Sequence, residues 1–385
     1  MSTAAETPPR RKKPQVNPYP ARSPRFWHGM RWGDWMKFWA SHGFRAHPLR
    51  FPMALAITAV TPMNTVLGWM QSLLYGRRIA NTTIDRPPVF IVGHWRTGTT
   101  LLHELMFLDE RFGSPTTYQC FTPHHFLVSE WFLPRCTSFL MPRKRAMDNM
   151  PSGYERPQED EFALLALAAP TPYFRMAYPS DPPPYMEFLD MRGVAPADLV
   201  RFEQAMEKFV KLITLRSGKR VLLKSPPHTG RIEVLSSLFP GAKFVHITRD
   251  PYSSFPSTLR LWYALDEAQG FTVVSDTDAE ADRREEFVFA SFERMYRGFE
   301  DQRQRLDPSA VCDVRYEDLV ADPVGEVRRV YEQLDLGDYA GVEPKIAAYA
   351  AREKNYRTNV HNLDETLKTR IRERWSAYFE KYGYE

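Results

Sequence analysis

Val89-Phe90-Ile91-Val92-Gly93-His94-Trp95-Arg96-Thr97-Gly98-Thr99-Thr100-Leu101-Leu102-His103-Glu104-Leu105-Met106 is the stretch on which the fold turns. Its first four residues make an unbroken apolar run, the pattern of a strand buried on both faces of a parallel sheet. Gly93 opens a turn, and Leu101 to Met106 then set apolar side chains on one side of a helix. A loop between strand end and helix start aims backbone N–H groups at an anion, with the positive end of the helix dipole behind them. The hydroxyls of Thr97, Thr99 and Thr100 add donors. Phosphate is the natural ligand; the plain structural alternative is a glycine turn that holds nothing. The Gly93-x4-Gly98 spacing imitates the loop of nucleoside triphosphatases, but Thr99 stands where that motif requires lysine. Lacking that lysine, and with Arg96 as its cation, the loop suits a 5′-phosphosulfate better than β- and γ-phosphates held with magnesium.

The alternation repeats down the chain. Arg220-Val221-Leu222-Leu223-Lys224 reads as a second strand that delivers Lys224 at its C-terminal end, where open α/β sheets bind ligands. A lysine there can also simply lay its stem on apolar neighbours. Ala242 to Thr248 reads as a third strand, followed by Arg249-Asp250-Pro251, with Pro251 suited to a first helical turn. Arg249 at that strand end and Ser257 two turns along the helix can converge on one phosphate. Val311 to Arg315 makes a fourth strand before a helix starting near Pro323. These elements predict an α/β fold, a P-loop-like, doubly wound and mainly parallel sheet flanked by helices, behind a helical N-terminal extension.

Composition bounds the partners. The 385 residues include 51 basic and 47 acidic side chains, a net charge of +4 that gives no footprint for nucleic acid. Cys120, Cys136 and Cys312 show no metal-ligand spacing, and their odd number and wide separation fit a reducing compartment, so no metal is expected. Residues 1–25, with Arg10, Arg11, Lys12 and Lys13, read as a disordered basic arm, either a solvated tail or a tether to anionic lipid. Residues 26–84 read as the helical extension and 85–385 as the α/β domain. Phe51 to Gly76 carries no charge and lies between Arg50 and the pair Arg77 and Arg78. It is long enough to span a bilayer, but Pro62, Asn64 and Gln71 interrupt it. Trp69, Met70, Leu73, Leu74 and Tyr75 share one helix face, so residues 51–76 predict a helix packed in the core or lying peripherally on a membrane.

Together these pieces resemble the PAPS-dependent sulfotransferase superfamily, in particular a bacterial branch whose loop has the form G-x-x-R-[ST]-G-T-T-L-L-H, over roughly Pro87 to the C-terminus. The resemblance implies that Arg96, Thr97, Gly98, Thr99 and Thr100 grip the 5′-phosphosulfate of PAPS and that Arg249 and Ser257 hold its 3′-phosphate. It implies a donor-closing role for Arg357 in the segment Lys354 to Asn359, and it places Lys224 near the oxygen that bridges sulfate and phosphate. Relatives carry a histidine base two residues after that lysine, where this chain has Pro226. Others use a glutamate after the loop helix, where Thr116-Thr117-Tyr118-Gln119 offers none. Glu159, in Arg156-Pro157-Gln158-Glu159-Asp160-Glu161-Phe162, is the first candidate for the base. Acids at a helix start are equally explained by the dipole. His228, His124 and His125 follow it, although an isolated histidine is more often a packing residue.

The reaction implied is transfer of a sulfuryl group from PAPS to an acceptor hydroxyl or amine, releasing PAP and needing no metal. Trp95, Tyr118, Phe121, Phe126, Trp131, Phe132, Tyr173 and Phe174 either line an apolar acceptor cleft or form core. A hydrophobic alcohol fits the first reading; the acceptor classes open are small molecule, lipid and glycan. The expected location is the cytoplasm, with contact at the inner face of the membrane. Competing readings are a P-loop kinase-like phosphotransferase, which the missing lysine disfavours, and a noncatalytic membrane-associated nucleotide-binding protein.

Overall fold

A computed structural model describes residues 14–142, 144–147, 150–275, 277–353 and 363–385. Its centre is a five-stranded sheet: β1 (Val89–Val92), β2 (Phe112–Gly113), β3 (Arg220–Lys224), β4 (Lys243–Thr248) and β5 (Val311–Arg315). The order is β2-β3-β1-β4-β5, and every neighbouring pair is parallel. The doubly wound parallel sheet expected from the sequence is therefore present. The chain leaves β1 toward β3 on one side and β4 on the other, so the C-terminal end of β1 is a switch point where open α/β sheets form their ligand crevice. All four β1 residues are buried, which is why the run carries no alternation. Two-residue β2 gave too short a pattern to be read in advance.

The N-terminal segment is not a detached layer. Phe26, Trp27, Trp35 and Trp39 belong to the same apolar cluster as Phe90, Phe162 and Phe244. Within residues 17–25, read from the sequence as part of a disordered basic arm, the Asn17 backbone N–H donates to the Ala146 carbonyl and its side-chain amide to the Arg145 carbonyl, while the buried Arg25 guanidinium donates within the segment to the Pro20 and Ser23 carbonyls. Helix α1 (Trp32–Ser41) leads into α2 (Phe51–Ala80), a single helix through the charge-free stretch. Pro62 does not break it. Pro62 has no N–H for the Thr58 carbonyl, and the Thr61 hydroxyl donates to that carbonyl instead, at 3.2 Å. The side of α2 turned to the domain is small and polar: Ala54, Thr61, Asn64, Gly68 and Gln71 are buried with Ile57. Its apolar side faces out, with Trp69 65%, Leu73 86% and Leu74 62% exposed. Packing of that apolar stripe into the core, one of the two expectations, is thus not what the fold does.

Candidate functional site

Gly93 to Thr100 joins β1 to α3 (Thr99–Met106). Two glycines are demanded by geometry. Gly93 has φ +144°, and a Cβ there would meet the Ile247 carbonyl oxygen at 2.5 Å. Gly98 has φ +103°, and a Cβ would lie 2.3 Å from the Tyr316 ring. The backbone thus passes closer to β4 and to the Tyr316 ring than any side chain permits. Arg96 itself has φ +69°, an uncommon conformation for a non-glycine residue and one that marks functional loops. The Gly93 N–H is taken by Thr229 Oγ1 at 2.8 Å, and Thr97 Oγ1 donates to the His94 carbonyl at 2.7 Å, so the loop is held from within and from β3's side. At its far end the first N–H groups of α3 have no intrahelical acceptor, as at any helix start.

Arg249 and Ser257 sit across from this loop. Asp250 caps the helix Pro251–Gln269 by accepting from the Tyr252 and Ser253 N–H groups, and Pro251 fills its first turn. Arg249 Nη1 donates to the Arg96 carbonyl at 3.0 Å, and its guanidinium lies 4.2 Å from the centre of the Tyr316 ring. Arg96 Nε donates to Ser257 Oγ at 2.9 Å. Arg96, Arg249 and Ser257 therefore form one partly exposed group instead of two separated ones. Arg357 lies outside the described residues.

The acids expected to open a helix each take a different basic side chain beyond the end of β3. The segment around Arg156 runs beside the chain that follows β2: the Thr117 N–H donates to the Arg156 carbonyl and the Gln158 N–H to the Pro115 carbonyl. That carries Glu159 to the sheet's C-terminal edge. Lys224 Nζ donates to Glu159 Oε1 at 2.7 Å. Asp160 makes no cap to the helix Glu161–Ala166; its Oδ2 lies 2.6 Å from His228 Nε2 instead. Glu161 pairs with Arg231 through two bonds, at 2.8 and 3.0 Å, both side chains fully buried. Burial lowers the Lys224 pKa while Glu159 holds it up. Burial pushes Asp160 up most strongly, but His228, with backbone and Ser225 hydrogen bonds, together hold its pKa below the ordinary value.

His228, expected as an alternative base, is fully buried, with Asp160 on Nε2 and the Arg231 guanidinium 3.4 Å from Nδ1. It has no open nitrogen to offer an acceptor. His124 and His125 are buried too: His124 bonds the Ala166 carbonyl, and His125 bridges Ser129 and Asn64 of α2. Burial takes His125 down to about 4 and lowers His124 well below its usual value.

Tyr173, read from sequence as either lining a cleft or packed in the core, donates to Glu159 Oε2 at 2.7 Å and accepts from Trp95 Nε1 at 2.9 Å. The Trp95 carbonyl in turn accepts from Thr258 beside Ser257. One bonded path thus runs from the Arg249 side through the loop to Glu159 and Lys224. Of the other aromatics named for a cleft, Trp95, Tyr118, Phe121, Phe126 and Phe174 are core, whereas Trp131 is exposed. The Arg231 partner of Glu161 was missed. Its signal was a third basic side chain following Lys224 and His228, matched to three consecutive acids.

A phosphate-type loop, a cationic strand end and a carboxylate at hydrogen-bond distance are what transfer of an anionic group requires, and comparison with known proteins says which group. The model for the Sulfotransferase family matches residues 87–340. This chain belongs to the sulfotransferase family. Two relatives, from Mycobacterium bovis and Mycobacterium tuberculosis, each named omega-hydroxy-beta-dihydromenaquinone-9 sulfotransferase Stf3, are 41% identical over 359 residues, or 93% of this chain and 91% of theirs. Among solved structures, sulfotransferase STF9 from Mycobacterium avium shares the fold at a TM-score of 0.65 and 18% identity, covering 93% of this chain and 97% of that one. Sulfotransferase STF1 from Mycobacterium tuberculosis does so at 0.59 and 20%, covering 90% of each. The protein is an enzyme, a sulfotransferase, as the loop led one to expect.

Proposed function

We propose that this sulfotransferase takes its sulfuryl group from PAPS and passes it to the hydroxyl of a hydrophobic alcohol, with Glu159 as the base. The observation that carries the reading is the Lys224–Glu159 pair at the C-terminal end of β3, tied to the loop through Tyr173 and Trp95. Each Glu159 oxygen uses one lone-pair site in these bonds and keeps another for an acceptor O–H. Glu159 takes the acceptor proton as the acceptor oxygen bonds to sulfur, and the bond from sulfur to the bridging oxygen breaks. Lys224 and the N–H groups at the start of α3 neutralise the charge left on that oxygen. Arg96, Thr97, Gly98, Thr99 and Thr100 hold the 5′ end of the donor, and Arg249 with Ser257 the 3′-phosphate. His228 is a positioning residue that fixes Asp160 behind the site. The Stf3 relatives are named for a hydroxylated menaquinone, which supports a lipophilic acceptor over a glycan. The free Cys120, Cys136 and Cys312 support a cytoplasmic setting. Part of this reading is contact with the inner face of the membrane through residues 51–76.

Calorimetry without magnesium, comparing PAP, ATP and 5′-AMP on the wild type and on Arg249→Ala, tests the donor. Tight binding of PAP that the substitution weakens at least about ten-fold is expected from loss of a charge-assisted bond. Binding of ATP only with magnesium, and none of PAP, overturns the reading.

A further inference from the structure

The outward face of α2 is the least ordinary surface of the molecule. Among the described residues sixteen large apolar side chains are exposed, and eight of them are on this one helix. Val66, Trp69, Met70, Leu73 and Leu74 follow one another at helical three- and four-residue steps, so they form a single stripe. Of the most apolar eighteen-residue window of α2 only 28% is buried, the reverse of a helix that serves a soluble core. Gln71 accepts from the Leu127 N–H, and a turn beyond Leu127 stands Trp131, 69% exposed, its ring anchored by a bond to the Val128 carbonyl.

The opposite face explains why the stripe points out. Asn64 donates to the His28 and Met30 carbonyls and accepts from His125, Thr58 accepts from Trp35 Nε1, and Thr65 accepts from the Trp32 N–H. These bonds stitch α2 to the domain along most of its length. A helix so held cannot leave the domain to cross a bilayer, but it can lie along one, in the manner of interfacial amphipathic helices.

We infer that the α2 stripe is a docking surface for an anionic lipid bilayer, on which the helix axis lies parallel to the membrane plane. This deepens the membrane contact in the function proposed above, and it rests on that reading. Charge selects the occupant. The stretch from Phe51 to Gly76 has no acid, and Arg77 and Arg78 at its end are exposed, with no carboxylate bonded to them among the described residues. Arg45 and Arg50 flank the other end, each beside an acid, Asp181 and Glu267. A second copy packed about a two-fold axis with the helices parallel would set Arg77 and Arg78 against their own counterparts. Lipid phosphates accept both ends, and Trp69 is the side chain type that favours the headgroup boundary. The arrangement also brings the enzyme to where a lipophilic alcohol is dissolved.

The test uses the full chain with sedimented vesicles of phosphatidylcholine alone and of an equimolar mixture with phosphatidylglycerol. The wild type is expected to partition onto the mixed vesicles, and Leu73→Glu to lose that partitioning by about ten-fold or more, because the new charge must be dehydrated. Substitution of Arg77 and Arg78 by Gln is expected to weaken it several-fold with the salt dependence reduced. Circular dichroism and PAP affinity, read in parallel, stay unchanged in both variants, so a failed donor assignment shows separately. Wild-type protein that remains in the supernatant with both vesicles overturns the proposal. So does a wild-type dimer in solution that Leu73→Glu converts to monomer without any vesicle binding, since the face then belongs to a second copy.

Discussion

The end of β3 and the outer face of α2 both reverse the usual partition of side chains. At β3, six charged or titratable groups lie buried; on α2, the apolar residues lie in water. The first reversal is closed within the chain, because Glu159, Asp160 and Glu161 each meet Lys224, His228 or Arg231. A buried charge that lacked its partner would cost several kcal/mol, so the three pairs are interdependent. The second reversal is open, since nothing among the described residues covers the stripe. A closed inversion serves chemistry or rigidity inside the fold, and an open one points to something outside it.

Within the closed region, the pair nearest solvent should matter for rate and the two deeper pairs for stability. Glu159→Gln keeps the shape and the Tyr173 contact but removes the proton acceptor. A fall in kcat of about 10²- to 10⁴-fold is expected, with PAP affinity unchanged, read by single-turnover transfer from labelled donor. A loss confined to donor affinity would move Glu159 out of the base role.

His228→Leu should act on stability, with a sign that depends on pH. In the wild type Asp160 has a lowered pKa, so its contribution is present above the unfolded carboxylate value of about 4 and is lost as pH falls through the folded value. Without His228, burial, the largest influence on Asp160, is opposed only by the backbone, Ser225 and Lys224, and its pKa rises above the wild-type value. Its contribution then reverses: the charged form is penalised at neutral pH, and the penalty fades as pH falls and the acid protonates. A loss of about 3 kcal/mol at neutral pH is expected, shrinking toward acid, measured by urea unfolding across that range.

How much of this was legible in the sequence follows from the physics of each part. Strands such as Val89–Val92 declare themselves because burial on both faces leaves an unbroken apolar run, and Gly93 and Gly98 because a Cβ has no room there. Lys224 and Glu159 could each be named from position, but not their meeting, which depends on β2 carrying the 156–158 segment to the sheet edge. Tyr173 was hidden for another reason. An aromatic among aromatics has no pattern that separates a ring lining a cleft from a hydroxyl holding a carboxylate. In α2 the stripe was visible but its direction was not, because periodicity gives a helix two faces without saying which is inside. There the polar residues that looked like interruptions, Asn64 and Gln71, turned out to be the attachment.

That direction yields the smallest expected effect and the sharpest contrast with β3. A leucine packed in a core loses about 2–5 kcal/mol when its side chain is cut back, through lost transfer energy and the cavity left behind. Leu74, although as apolar as any core residue, leaves 62% of its surface in solvent. Leu74→Ser should therefore change the free energy of unfolding in solution by less than about 0.5 kcal/mol, the range of surface substitutions that touch no special feature. Denaturant unfolding of the lipid-free protein measures it. A cost of several kcal/mol would mean that Leu74 is covered in the protein as it exists in solution, and the open inversion would prove to be closed like the one at β3.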